Sequence, residues 1–205
     1  MKRKNLIFLF MAFFGLSFTQ SNRHLVKYVY DGDTVLMDTQ EKLRYLGIDA
    51  PEMGSRGKKN EFMAIESRDF NLRLVGQSWV KLEFDREKKD RHGRLLGYVF
   101  LENGDMVNAL LVRKGLASVL IKRPNLKYLD LLIHNQRLAM EEKLGIWRKA
   151  IIKPENYYLG SSKSFRFHRP GCPFSRKILS HNLVRFKRYR DAFWEGFSPC
   201  KRCGP

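Results

Sequence analysis

A succession of short apolar segments separated by turn residues narrows the possible folds of this chain. The five segments occupy residues 25–30, 34–37, 43–48, 79–84 and 95–101. Short runs of alternating or continuous apolar residues, bounded by glycine and aspartate turns, are typical of β-strands. The pattern therefore predicts five strands in the first half of the chain.

A helix is predicted between the third and fourth strands. Asn60 is suited to cap its start and Gly76 to end it, with Phe62, Ile65 and Phe70 near its buried face. A helix at this point of a five-stranded antiparallel set is typical of a closed OB-type barrel, whose surface often binds oligonucleotides. Two further helices are predicted after the barrel, over residues 106–114 and 126–145.

The first 19 residues have the layout of an export signal. Basic residues at positions 2–4 precede an apolar run at 6–18, and the small residues Ser17 and Thr19 stand where a signal peptidase would cut. The run is shorter than the roughly 20 residues that span a bilayer, so a permanent anchor is the less favoured alternative. We therefore expect a secreted or periplasmic protein with no stable membrane association after signal removal.

The chain is strongly basic, with a formal net charge of +18 from 39 Lys and Arg against 21 Asp and Glu. This excess predicts an anionic partner. Nucleic acid and acidic membrane lipid both present dense phosphate surfaces, and charge alone does not choose between them.

The three cysteines, Cys172, Cys200 and Cys203, lie close to the C-terminus. Their odd number argues against a disulfide framework in an exported protein. Two residues separate Cys200 from Cys203, a spacing that lets both thiolates face one tetrahedral metal ion. The pattern predicts a structural zinc site completed by His168, which has metal-site spacing from Cys172, with His181 as a competing ligand.

Together these features predict an α+β protein. A five-stranded OB-fold β-barrel with about three helices is followed by a small zinc-stabilised α/β domain. The predicted boundaries are a signal peptide at 1–19, the barrel domain at 20–148, a linker at 149–160 and the zinc-binding domain at 161–205. We expect a monomer.

Several charged residues near the predicted strand ends suit phosphodiester hydrolysis. This reaction needs a hard cation, a group that orients or deprotonates water, and hydrogen-bond donors for the negative charge that develops in the transition state. Asp33 begins one strand and Asp49 ends another, so both can bind calcium at one end of the barrel. Glu52 follows closely and can hold a water near that ion. Arg44 and Arg94 can clamp one phosphate. Taken singly, each is more often a turn or surface residue.

Four ordered strings carry a resemblance to a known family. They are Asp31-Gly32-Asp33-Thr34, residues 43–52 (LRYLGIDAPE), residues 90–94 (DRHGR), and residues 106–108 (MVN) with 111–117 (LVRKGLA). They resemble the staphylococcal nuclease family over roughly residues 24–148. The resemblance implies a calcium-dependent hydrolase that cuts DNA or RNA to 3′-phosphate products.

The resemblance also implies a calcium site. Asp33 and Asp49 would bind the ion directly, the backbone carbonyl of Ala50 would add a ligand, and Asp31 would act in support. The best-known family members have threonine at the position of Ala50. Because the implied contact is made by the backbone, this change weakens rather than abolishes binding.

The implied catalytic residues are one carboxylate and two arginines. Glu52 would act on the attacking water as general base or positioner, and Arg44 and Arg94 would stabilise the phosphate in the transition state. The best-known members also have tyrosines near the substrate base in the segment that matches residues 119–122. This chain has none there, which leaves base stacking to other residues.

A second resemblance concerns the C-terminal region. Residues 167–172 (FHRPGC) and 199–203 (PCKRC) resemble the metal-binding domain of the Ada-type DNA methylation-repair proteins, which hold zinc with four cysteines. His168 stands where that domain has its methyl-accepting cysteine. One imidazole and three thiolates still suit structural zinc, whereas methyl transfer needs the thiolate.

The leading prediction is an exported, calcium-dependent endonuclease whose tail carries structural zinc. The alternative is a non-catalytic nucleic-acid-binding protein that uses the barrel and the basic tail. A third class, a DNA-repair or regulatory protein, is suggested by the tail but conflicts with the export signal and with His168.

Overall fold

A computed structural model describes residues 22–55, 57–149 and 153–204. The predicted signal peptide at 1–19 lies outside these residues, and so does part of the predicted linker at 149–160. In the described ranges, no helix combines the length and apolar character that crossing a membrane requires.

A closed five-stranded barrel forms the first part of the protein, with three helices around it. The elements in chain order are β1 (Arg23–Val29), β2 (Thr34–Met37), β3 (Lys42–Tyr45), β4 (Ile48–Asp49), α1 (Ala64–Val75), β5 (Trp79–Glu83), β6 (Leu95–Phe100), α2 (Val107–Arg113), β7 (Ser118–Val119) and α3 (Leu129–Glu141). A 3-10 turn, Gly145–Arg148, follows. The order around the barrel is β1-β2-β3-β6-β5. The predicted OB-type barrel is confirmed.

The prediction that all neighbouring barrel strands are antiparallel was wrong for one pair. Strands β3 and β6 pair in parallel, with Leu43 opposite Leu95 and Arg44 opposite Leu96, while the other four neighbouring pairs are antiparallel. A closed ring with an odd number of strands cannot alternate direction throughout, so at least one pair must be parallel. The parallel seam brings the start of β6 beside the strand that carries Arg44.

The predicted third strand, residues 43–48, is interrupted. Gly47 has a φ of 77°, in the left-handed region that favours glycine, and the chain turns there. Strand β4 then leaves the barrel and pairs with β7, Asp49 lying opposite Ser118. The interruption places Asp49 beyond the end of the barrel strand.

Helix α1 begins at Ala64, later than predicted, and buries a different face. Phe62 and Ile65 are 45% and 47% exposed, so their predicted burial was wrong. The buried face includes Ser67 and Asn71, whose side chains donate to the carbonyl oxygens of Leu116 (2.8 Å) and Asp31 (3.1 Å). Hydrogen bonds to the backbone before β2 and after α2 therefore hold this side of the helix inward.

The C-terminal region forms a second sheet with one helix, as predicted for a small α/β unit. Its elements are β8 (Tyr158–Ser161), β9 (Arg166–His168), β10 (Leu183–Phe186), α4 (Tyr189–Trp194) and β11 (Ser198–Pro199). The strand order is β10-β8-β9-β11. Strand β8 starts inside the segment predicted as a linker.

This C-terminal unit, residues 153–204, packs on helix α3 of the barrel domain and shares an apolar cluster with it. The fully buried Gln136 joins the two parts, because its Oε1 accepts from the Val119 amide (2.7 Å) and its Nε2 donates to the Phe193 carbonyl (2.6 Å). The rings of Trp147 and Phe193 meet edge to face, with centroids 4.9 Å apart. These contacts fix the unit against the barrel.

Candidate functional site

The turn before β2 holds Asp33 at the end of the barrel. Its backbone N–H donates to Asp31 Oδ1 (2.9 Å), a local bond typical of aspartate turns. Gly32 packs so closely on α1 that a Cβ there would lie 1.8 Å from Ser67 Oγ. The turn is thus fixed by the helix, and only glycine fits at its centre.

The Asp33 carboxylate is fully buried and hydrogen-bonded on both oxygens. Oδ1 accepts from Thr34 Oγ1 (3.1 Å) and lies 2.5 Å from Arg44 Nη1, while Oδ2 accepts from the Ala50 amide (2.6 Å). Burial raises the pKa of Asp33 well above its usual range, and the Arg44 guanidinium opposes that shift. Asp31 and Asp49 add to the increase.

Arg44 bridges two carboxylates, since its Nη2 lies 2.5 Å from Asp49 Oδ1. Burial favours the neutral guanidinium, but Asp33, Asp49, Asp31 and Glu52 together raise the pKa of Arg44 above its ordinary value. One guanidinium is therefore in contact with two carboxylates and is influenced by the charges of two more. This excess of hard oxygen donors fits a divalent cation such as calcium.

Glu52 stands at the exposed side of this carboxylate cluster, with 48% of its side chain accessible. Its backbone N–H donates to Glu61 Oε2 (2.9 Å), which anchors the loop after β4. Its Oε1 lies 3.5 Å from Lys201 Nζ of the C-terminal unit. The side chain is therefore accessible to water.

Arg94 immediately precedes β6, which pairs with the strand that carries Arg44. Its Nε donates to Asp90 Oδ2 (2.8 Å), and its amide donates to Asp90 Oδ1 (3.1 Å). Burial works to raise the pKa of Asp90, but hydrogen bonds from Arg94 and His92 lower it overall. The described ion pair of Arg94 is with Asp90. The structure thus groups Asp33, Arg44, Asp49 and Glu52, with Arg94 just before the neighbouring strand β6.

The predicted zinc ligands form one cluster in the C-terminal unit. The ligand atoms of His168, Cys172, Cys200 and Cys203 all lie within 4.8 Å of one another, and Cys172 Sγ is 3.5 Å from His168 Nδ1. Ligands of a tetrahedral zinc ion lie about 3.3–3.8 Å apart, given bond lengths of about 2.0–2.3 Å. The cluster therefore fits a metal ion. The competing candidate His181 is exposed and lies outside it.

The protonation of His168 suits ligation. Burial lowers its pKa below the usual value, and the nearby positive charge of Arg166 lowers it further. A neutral imidazole is the form that binds metals.

Sequence reasoning missed several supporting residues. Asn71 bonds to the turn that carries Asp33, Ser67 packs against Gly32 of that turn, and Asp90 orients Arg94. The two helix residues are four positions apart, a spacing that places polar groups on one face and was a usable signal. The contact of Lys201 with Glu52 had no signal, because 148 residues lie between them in the chain.

Comparison with known proteins identifies the family. Residues 42–149 match the family described as "Staphylococcal nuclease homologue", a segment that contains Arg44, Asp49, Glu52 and Arg94. The chain is 37% identical to a thermonuclease of Staphylococcus hyicus over 136 residues, covering 65% of this chain and 80% of that protein. It is 36% identical to a thermonuclease of Staphylococcus intermedius over 129 residues, or 62% and 76% of the two chains. Endonuclease YncB of Bacillus subtilis is 34% identical over 125 residues, or 58% and 59% of the two chains. The chain belongs to the staphylococcal nuclease family.

Proposed function

We propose that this phosphodiester endonuclease of the staphylococcal nuclease type is calcium-dependent, exported and active on DNA, RNA or both. The observation that carries the calcium proposal is that Arg44 pairs with both Asp33 and Asp49 and is also influenced by the charges of Asp31 and Glu52, with Asp33 fully buried. One guanidinium does not balance several carboxylates, and the remaining negative charge is costly unless a cation compensates it. Asp33 and Asp49, with the carbonyl of Ala50, would hold the ion.

Each remaining residue has a role that follows from its surroundings. Glu52 is open to water and close to the cluster, so it is suited to orient the attacking water or to accept its proton. Arg44 and Arg94 donate paired N–H groups to the phosphate oxygens, where negative charge develops during the reaction. Calcium, when bound, neutralises the phosphate and stabilises the same charge.

The C-terminal unit would bind one structural zinc ion through His168, Cys172, Cys200 and Cys203. Zinc would add to the apolar cluster of this small unit in keeping it folded. Export is supported by the basic and apolar N-terminal sequence. The proposed organisation is a signal peptide at 1–19, a nuclease domain at 20–148, a linker at 149–160 and a zinc-binding domain at 161–205, in a monomer without stable membrane association.

The proposed calcium dependence is tested by incubating the purified protein with plasmid DNA and with RNA. We expect cleavage with calcium, none after chelation, and recovery when calcium is restored. Arg94→Ala should cut far more slowly under the same conditions, because one phosphate donor is lost. Tight binding without cleavage in calcium would instead identify a non-catalytic binder. Recovery of the mature protein in the cytoplasm would contradict export.

The pH dependence of calcium binding should report on Asp33. Since burial raises its pKa, the folded protein keeps a proton on Asp33 at pH values where an ordinary aspartate, of pKa about 3.9, is ionised. This proton competes with the metal, so calcium affinity should rise with pH up to the raised pKa, and binding should release a proton. Calorimetry in buffers of different ionisation enthalpy measures both effects. An affinity that stays constant as the pH rises above the ordinary aspartate pKa would contradict the expectation.

A further inference from the structure

A single cleft connects the carboxylate cluster to the C-terminal unit. Asp49 and Glu52 line one side, and Cys200 and Lys201 line the other. Its volume is about 1040 Å³, at the upper end of the roughly 300–1,000 Å³ typical of small-ligand pockets. The cleft therefore has room for nucleotides on either side of the phosphate being cut.

The far wall of this cleft is held in place from two directions. Gln136 and the packing of Trp147 on Phe193 fix the C-terminal unit against the barrel. Lys201 lies in a turn between two of the zinc ligands, and the Cys200 amide donates to the Phe167 carbonyl (2.9 Å). The position of Lys201 relative to Glu52 is therefore defined by the fold.

Four basic residues line the cleft. Lys149, Lys153 and Lys201 are exposed in the cleft, and Arg169 also lines it. Arg169 Nη1 donates to the Lys153 carbonyl (2.8 Å) and holds that segment in position. The contact between Lys201 and Glu52 is solvent-exposed, and exposed ion pairs contribute little. Lys201 can therefore exchange this partner for a phosphate.

An exposed aromatic ring completes the cleft. Phe62 lines it with 45% of its surface accessible, and Lys149 Nζ lies 5.5 Å from the ring centroid. Bases of single strands stack on such rings without regard to sequence. Phe62 is thus placed to provide the stacking surface that residues 119–122 lack.

We propose that this cleft is a binding subsite for the substrate strand, in which Lys201 and Lys153 contact phosphates flanking the scissile one and Phe62 stacks on a base. The proposal rests on the proposed nuclease function and extends it. Its ligand class is single-stranded nucleic acid, bound through backbone charge and ring stacking. The zinc-binding unit then serves the nuclease as one wall of its substrate site.

The phosphate contact is tested with the full chain, loaded with zinc and without added calcium, by fluorescence anisotropy of a labelled single-stranded oligonucleotide. We expect Lys201→Gln to weaken binding and to reduce the slope of log affinity against log salt by about 0.7, the value for one phosphate contact. The matched control is Lys163→Gln, an exposed lysine of the same unit outside the cleft lining. Equal behaviour of the two variants would overturn the proposal.

The stacking contact is tested by Phe62→Leu against Trp79→Leu, an exposed aromatic residue on strand β5. We expect Phe62→Leu to weaken binding by about 5- to 150-fold with no change in salt slope, and Trp79→Leu to have no effect. In cleavage assays, KM should rise while kcat is kept. An unchanged affinity of Phe62→Leu for the oligonucleotide would show that Phe62 does not stack on a base.

The two proposals fail separately. If calcium supports cleavage but Lys201→Gln binds like the wild type, the subsite is wrong and the nuclease function stands. If Lys201→Gln weakens binding but no variant or wild-type protein cleaves, the subsite stands and the proposed nuclease function fails.

Discussion

Glu52→Gln should reduce kcat by about 10²–10⁴-fold while leaving the thermal stability unchanged. The amide has nearly the same shape as the carboxylate but cannot accept a proton from water. Glu52 is half exposed, and its described ion pair is the weak contact with Lys201, so the fold does not depend on its charge. Steady-state cleavage of an oligonucleotide with saturating calcium measures the effect.

The matched control for this prediction is Glu66→Gln, which makes the same chemical change on the exposed side of helix α1. It should cleave at the wild-type rate. A Glu52→Gln protein that retains most of its kcat would show that another group acts on the water. A large fall in melting temperature would show that Glu52 is structural.

Cys172→Ala should reduce the zinc content from about one ion per chain to almost none and unfold the C-terminal unit. Structural zinc sites in small domains contribute an apparent 10–16 kcal/mol at neutral pH, which is as large as the stability of a typical whole domain. Cys172 is buried and does not line the substrate cleft, so the variant removes the metal site without changing that surface directly. Elemental analysis gives the stoichiometry, and near-ultraviolet circular dichroism reports on the aromatic cluster around Phe193.

The control for the metal site is His181→Ala, which removes the competing histidine. Because His181 is exposed and outside the four-residue cluster, the variant should keep its zinc. Loss of zinc in His181→Ala with retention in His168→Ala would reassign the fourth ligand. Absence of zinc from the purified wild-type protein would refute the proposed zinc site.

The barrel was predictable from sequence because its strands are short apolar runs separated by strong turn residues, such as Asp31-Gly32-Asp33. The parallel pairing of β3 with β6 was not predictable, because pairing between distant segments leaves no local pattern in the sequence. The buried face of α1 was misjudged for a related reason. Ser67 and Asn71 turn inward to donate hydrogen bonds to the backbone carbonyls of Leu116 and Asp31, and apolar periodicity gives no sign of such bonds.

The candidate site was also predictable only in part. Asp33, Arg44, Asp49 and Glu52 were found because they lie at strand ends within one short stretch of chain. The cleft between the barrel and the C-terminal unit was not found from the sequence, because it depends on how these two regions pack together. Nothing in the sequence separates Lys201 from the other basic residues near the C-terminus, and only its position beside Glu52 distinguishes it.

The single side chain of Gln136 also affects how this protein can be shortened. A fragment ending after Trp147 would contain nearly all of the family-matched segment, yet its Gln136 amide would lose its acceptor on Phe193. The apolar surface of Ala139 and Met140 would also become exposed to solvent. Such a fragment should aggregate more readily than the whole chain. The C-terminal unit therefore completes the packing of the nuclease domain, even though its sequence resembles that of a separate domain.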